Sequence, residues 1–370
     1  MKRFGYIVLI LVLAALTGCV KTEVNPSPKE RITFAVGSYA PTTRAISLLD
    51  SDGGISAFKS RAYLYADGYS NAYQPFFGVS GETISWNSSA SEWAPSHPYY
   101  WPKSSESYIN FVSWYDRNGS PASVSETALT WAIDGSTRSL ASDDNIMFAD
   151  AAWRYNQNTV NVGQYEGDAI LVGVPTLFHH ALAQVKFQVK ATTLSEGSTT
   201  WNVSVTDFNV AGVYKTGTLS LVNADPASNM TRAWWSMSED ATPVATTPYW
   251  STAGCSADTL SAPGRVTSVA AANTPVTIMD TRAVIPQATD SILVNCTCTI
   301  RTNYVNGDYM VEAVPVSVYL SDFSGDTGEW AMNHRITYTI TVNPVTGKIL
   351  FDPALNEGWA NDRNNLMYIE

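Results

Sequence analysis

Ala183-Gln184-Val185-Lys186-Phe187-Gln188-Val189-Lys190 decides the fold class. Apolar and polar residues alternate through it without a break. In an extended chain that pattern places every apolar side chain on one face, as in a half-buried β-strand. Similar strands are expected on both sides of it. Downstream lie Trp201 to Val210, Gly217 to Leu221, Val276 to Met279, Ser291 to Arg301, Met310 to Leu320, Arg335 to Val342 and Lys348 to Phe351. Asn306-Gly307 reads as a hairpin turn, and Asn343-Pro344-Val345-Thr346-Gly347 as another. Upstream, Ala62 to Ala66, Thr83 to Trp86 and the aromatic run Tyr108 to Tyr115 carry the same signal. Residues 116–160 and 223–275 are rich in small and polar residues and predict long loops, the first with room for one short helix. Helix-period patterning nowhere exceeds about two turns. The chain is therefore expected to be all-β, divided near residue 178.

Composition narrows the class. With 370 residues the length suits two domains, and a 45% hydrophobic content supplies sizeable cores. The net charge is −11. Such an acidic chain is a poor ligand for nucleic acid or anionic lipid. Only 15% of the residues are charged, while serine, threonine, asparagine and aromatic residues are plentiful. The balance fits an extracellular β-protein.

The N-terminus states an address. Lys2 and Arg3 precede the apolar run Tyr6 to Leu16, which has the layout of a secretory signal peptide over residues 1–18. It ends in Leu16-Thr17-Gly18-Cys19, which looks like a bacterial lipobox, with cleavage before Cys19 and a lipid on its sulfur. Loss of Lys2 and Arg3 would leave a mature chain of 20 basic and 33 acidic residues, a net charge of −13. Residues 20–30 read as a polar tether. In Arg31-Ile32-Thr33-Phe34-Ala35-Val36-Gly37, the side chains Ile32, Phe34 and Val36 fall on one face of a strand. Thr43-Arg44-Ala45 then sets a lone basic residue before the polar stretch Asp50 to Gly54.

A lipid anchor, a tether, one strand and an arginine before a polar loop together resemble the fimbrillins, pilus subunits of Bacteroidales-type bacteria. Further matches run in order along the chain. Pro98-Tyr99-Tyr100-Trp101-Pro102 with Ile109-Asn110-Phe111-Val112 resembles the family's tyrosine-tryptophan-proline stretch and the strand after it. Leu177-Phe178-His179-His180-Ala181-Leu182-Ala183-Gln184-Val185 resembles its central segment, and Ile349-Leu350-Phe351 with Gly358-Trp359 its ending. One departure is that Arg44 has no second basic residue beside it. The resemblance implies two tandem transthyretin-like β-sandwich domains, residues 46–178 and 179–370, after a lipidated tether and removable strand, residues 19–45. It implies export to the outer membrane, cleavage between Arg44 and Ala45, and loss of the strand bearing Ile32, Phe34 and Val36. A neighbouring subunit would fill the vacated groove, with Leu366, Met367, Tyr368 and Ile369 as the donor tail. The implied partners are other fimbrial subunits and the outer-membrane lipid, and the implied location is a surface fimbrium.

Other chemistry finds little support. His179 and His180 point to opposite faces of a strand and cannot jointly chelate. Asp50-Ser51-Asp52-Gly53-Gly54 lacks the distal acid of a calcium loop, and the loop holding Asp322, Asp326 and Glu329 reads as a turn. Cys255, Cys296 and Cys298 remain beside Cys19; Cys296 and Cys298 are poorly placed to bond each other, and a bridge from Cys255 to either is open. The four histidines and three cysteines show no metal-ligand spacing, so neither metal nor cofactor is expected. No nucleophile or acid–base motif is visible, which argues against an enzyme. The alternative to a fimbrial subunit is an unpolymerised surface lipoprotein. It would bind a host or bacterial glycan, or a protein, through exposed aromatic residues, with Trp234, Trp235 and Trp250 as the contacts.

Overall fold

The computed structural model describes residues 31–39, 46–48, 55–69, 73–135, 137–138, 140–141, 144–156, 158, 173–214, 216–225, 230–237, 250–251, 267–323, 326–352 and 355–358. Among them there is no α-helix, only a single 3-10 turn at Leu320–Asp322. The main strands of the first half are β1 (Phe34–Tyr39), β2 (Ile46–Leu48), β3 (Ala57–Tyr69), β4 (Glu82–Asn87) and β5 (Glu92–Pro95). They continue with β6 (Tyr108–Asp116), β7 (Ala128–Ile133), β8 (Ile146–Ala149) and β9 (Val174–His180). The second half contains β10 (Ala183–Ala191), β11 (Thr199–Ala211), β12 (Gly217–Asp225), β13 (Met230–Met237) and β14 (Val276–Val284). It ends with β15 (Leu293–Asn303), β16 (Tyr309–Tyr319), β17 (His334–Asn343) and β18 (Lys348–Phe351).

Seven strands of the first half close on themselves in the order β6-β8-β9-β1-β5-β4-β3, because β3 also pairs with β6. Inside the ring lies an aromatic core that includes Phe34, Phe58, Phe77, Trp93, Phe111 and Phe178, all nearly or fully buried. In the second half, β14-β10-β17-β18 form one sheet and β11-β15-β16 the body of another. Phe187, Val189 and Tyr338 from the first meet Val203, Val205 and Cys298 from the second in a shared core. The alternation read in residues 183–190 is realised there: Val185, Phe187 and Val189 are fully buried, while Lys186, Gln188 and Lys190 are half-buried.

A third core joins the halves. β6 is apolar on both faces and β3 adds Tyr63 to the outer one, so the outward side chains Tyr63, Val112 and Trp114 also need cover. They find it against Trp131 of β7, Leu219 of β12 and Leu182 and Ile285 from the second half. β7 pairs with β12 from Ala128↔Val222 to Ile133↔Gly217, so one sheet draws strands from both halves.

Two expected loops are therefore partly strand. Residues 116–160 hold β7, β8 and Ala152–Tyr155, with no helix among the described residues, and 223–275 hold β13. These strands are short, and their burial comes from non-local partners, so a local period is hard to read. The Asn306-Gly307 hairpin forms as expected, with Gly307 at φ 87°. Cys296 and Cys298 are both buried and free. Asp326 accepts hydrogen bonds from Tyr338 Oη at 2.8 Å and Thr289 Oγ1 at 2.6 Å, so this loop pins the core beneath it.

The two histidines at the end of β9 separate as their spacing requires. His179 is half-buried, its Nε2 3.1 Å from Asp150 Oδ2. His180 is fully buried, with Nδ1 2.8 Å from Asn145 Oδ1. Burial, helped by His179 and Arg335 nearby, pushes its pKa down to about 3. The unfolded chain would take up this proton below its ordinary value of about 6.5, whereas the fold resists it. Stability is thus expected to fall as pH drops from about 6.5 toward 3, by about 1.4 kcal/mol per pH unit at full slope. Denaturant midpoints between pH 7 and 5 check this: His180→Gln should flatten the fall, and parallel curves would contradict the assignment.

Candidate functional site: the slot filled by the first strand

The short apolar alternation at residues 32–36 becomes part of the ring wall. Ile32, Phe34 and Val36 are each at most 3% exposed. The Phe34 ring meets Phe58 at 5.7 Å and Phe111 at 5.6 Å, both edge-on, and Phe77 at 6.5 Å. Edge-on contacts suit the aromatic quadrupole and add to the area buried. Burial of the three side chains is worth roughly 1.5–3 kcal/mol each. This strand is a structural plug of a closed ring.

Its two edges are held unequally. On one side β1 runs parallel to β9, from Phe34↔Val174 to Ser38↔Phe178, the only parallel pair in the ring's described ladders. Val174 N donates to Thr33 O at 2.8 Å at the head of this ladder. On the other side β1 meets β5 only at Phe34↔Trp93, while Ile32 N donates to Tyr99 O at 2.8 Å. Past that point β2 takes over, from Gly37↔Leu48 to Tyr39↔Ile46. An Arg31–Glu92 pair at 3.4 Å flanks the entry; it is part-exposed and contributes little.

Gly173 makes the close parallel approach feasible. Its φ is 129°, and a Cβ there would come within 2.8 Å of Thr33 O and 2.9 Å of the Phe34 backbone. Only glycine meets both demands. Tyr99 fixes the opposite wall: its hydroxyl donates to Glu82 Oε1 at 2.7 Å, and that bond, with burial, pushes the phenol up to about 12. The Phe77 ring packs against Tyr99 at 4.6 Å, tilted by 55°.

The structure brings Ile32, Phe34 and Val36 together with Phe58, Phe77, Trp93, Phe111 and Gly173, of which only Phe111 stood out in the sequence. An unpatterned aromatic scattered through loops and strands gives no local sign of a shared cage, and Gly173 follows a stretch without periodicity. Cys19, Arg44, Ala45, Cys255 and Leu366 to Ile369 lie outside the described residues. The three aromatic contacts proposed for glycan do not share a surface in full. Trp234 is 45% exposed on the outer face of β13, whereas Trp235 packs into the joining core and donates from Nε1 to Ala181 O at 2.7 Å. Trp250 pairs through its backbone with Val210 of β11.

Comparison with known proteins gives a consistent picture. A family model described as fimbrillin-like matches residues 63–357, a span that leaves β1 and Cys19 outside it. A fimbrial protein from Bacteroides vulgatus superposes with a TM-score of 0.51 at 14% identity, covering 89% of this chain and 99% of its own. A candidate cell adhesion protein from Bacteroides uniformis gives 0.41 at 12% identity, covering 90% of this chain and 100% of its own. One from Parabacteroides distasonis gives 0.41 at 9%, covering 89% and 99%. At these identities the likeness is one of fold. No curated protein sequence matches the chain significantly.

Gly173→Ala is expected to loosen β1 without touching its own residues. Hydrogen exchange across residues 34–39 should accelerate while the second-half core, for example residues 185–189, stays protected. Unchanged exchange at 34–39 would show that the close approach is not limiting.

Proposed function

The chain belongs to the fimbrillin-like family, and we propose that it is a structural or accessory subunit of a surface fimbria, armed by removal of its first strand. One observation carries the reading: β1 is an interior strand of the ring, buried on its inward face and paired on both edges. An edge strand could be lost with little change. Loss of β1 opens an apolar slot lined by Phe58, Phe77 and Phe111 and bordered by the unpaired backbone of β9 and β5. A groove of that kind takes up any strand of matching pattern.

The proposed sequence begins with export as a lipoprotein through Cys19, which carries the precursor to the outer membrane. Cleavage between Arg44 and Ala45 then frees β1, because the bond lies between β1 and β2. Before the cut, β1 is tethered beside its slot and outcompetes any strand from a neighbour. After the cut that advantage disappears, and the tail bearing Leu366, Met367, Tyr368 and Ile369 of another subunit can fill the slot. The role is non-enzymatic: binding and pairing are sufficient for it. The second reading, a glycan-binding lipoprotein that never polymerises, is favoured by the exposed Trp234.

Limited digestion with an arginine-specific protease separates the two. Wild-type protein cut at Arg44 is expected to lose residues before Ala45 and to form laddered polymers, while Arg44→Ala stays monomeric. Clean cutting without assembly, or assembly by uncut Arg44→Ala, would overturn the strand-exchange reading. Cys19→Ala should abolish incorporation of labelled fatty acid, and undiminished labelling would remove the anchor.

A further inference from the structure

The hairpin of β15 and β16 carries six of the thirteen large apolar side chains that are exposed among the described residues: Tyr304, Val305, Tyr309, Met310, Val311 and Tyr319. Such a concentration marks an interaction surface more than chance exposure does. β16 is also the terminal strand of its sheet among the described residues, eleven residues long and paired on one side only, with β15. Its first three residues are each more than half exposed.

The phase of its free edge can be worked out. Leu320 N donates to Ile292 O at 2.9 Å, and Tyr304 N to Asp308 O at 2.9 Å, at the two ends of the ladder. The even-numbered residues of β16 therefore bond to β15. The ladder continues through Thr297↔Pro315, which agrees, because proline has no N–H to donate. Tyr309, Val311 and Ala313 thus turn their N–H and C=O groups outward, and Pro315 ends the open edge. What remains among the described residues is a free backbone template from Tyr309 to Ala313.

We propose that this edge pairs antiparallel with the same edge of a second copy of the chain, about a two-fold axis through Val311. Of the two-fold registers this edge permits, that one uses all three open positions: Val311 faces the other Val311, and each Tyr309 faces the other copy's Ala313. Large then meets small at both ends, and each Pro315 falls outside the shared ladder. Glu312 stands opposite Met310, so no like charges face one another directly despite the net charge of −11. Arg301 lies 4.2 Å over the Tyr309 ring and holds it on the outer face. A ladder this short covers well under the roughly 800 Å² per partner of a stable complex. The pairing is therefore weak between free monomers and effective between copies held in an array, where many weak contacts act together. It uses no residue of the first-strand slot, so it stands or falls apart from strand exchange.

Cysteine scanning in cells that display the full chain with Cys255→Ser tests the register. Residues facing each other in a bonded antiparallel pair have Cα atoms about 5.5 Å apart, within disulfide range. In the same register the two Tyr309 positions lie about 14 Å apart, as do the two Ala313 positions. Mild oxidation with diamide should link Val311→Cys into a dimer, with no dimer from Tyr309→Cys or Ala313→Cys alone. Co-expressed Tyr309→Cys and Ala313→Cys chains should link to each other. Adding Val311→Pro to both should abolish that link while leaving thermal unfolding unchanged, because the lost N–H points away from β15. Equal linking at all three positions, or linking that survives Val311→Pro, would overturn the proposal. So would the absence of any link, since it would mean that another segment or partner covers the edge.

Discussion

The first half of this protein depends on a ladder between its beginning and its end. β1 closes the ring by lying parallel to β9, about 140 residues later in the chain, and Gly173 permits the contact. Without β1 in place, Phe34 leaves its aromatic cage and β9, β5 and β2 each lose a neighbour. The cost is several kcal/mol of burial, comparable to the whole net stability of an ordinary domain. A strand worth that much is firmly held.

The same closure constrains the second half. Because β3 and β6 complete the ring and turn Tyr63, Val112 and Trp114 outward, that outer surface requires a cover. β7, β12 and residues 181–182 and 283–285 provide it, so the two halves share a buried aromatic layer centred on Trp131. Trp131 also donates from Nε1 to Asp116 Oδ2 at 3.1 Å, where Arg138 binds the same carboxylate through two hydrogen bonds of 2.8 Å. That polar knot sits at the end of β6 and is half-buried, its two opposite charges paired with each other. The joint is thus held by a buried aromatic layer and a charged pair at its margin.

Much of this was legible in the residues. Strict alternation in 183–190 and 335–342 specified strands because a period of two has only one extended reading when one face is buried. The Asn-Gly turn before β16 was legible for the same local reason: it needs a positive φ that few residues supply. Ile32, Phe34 and Val36 could be placed on one face, and the opposite directions of His179 and His180 followed from strand geometry. Residues 116–160 resisted because their strands are short and owe their burial to partners far along the chain. Trp235 resisted too, since neighbouring tryptophans on a strand face opposite ways and the sequence does not say which side is wet.

By itself, then, the sequence determined an all-β chain and an N-terminal strand of one apolar face followed by a lone arginine. These are local properties, set by side-chain alternation and by turn chemistry that acts over a few residues. Tertiary structure alone decided that this strand lies inside a ring and not at its edge, that Gly173 must stay bare beside it, and that Phe58, Phe77 and Phe111 surround it. Only tertiary structure, too, left the edge from Tyr309 to Ala313 uncovered among the described residues. The reason is physical: which strand lies beside which is set by long-range burial and backbone pairing, and those partners stand tens to hundreds of residues apart.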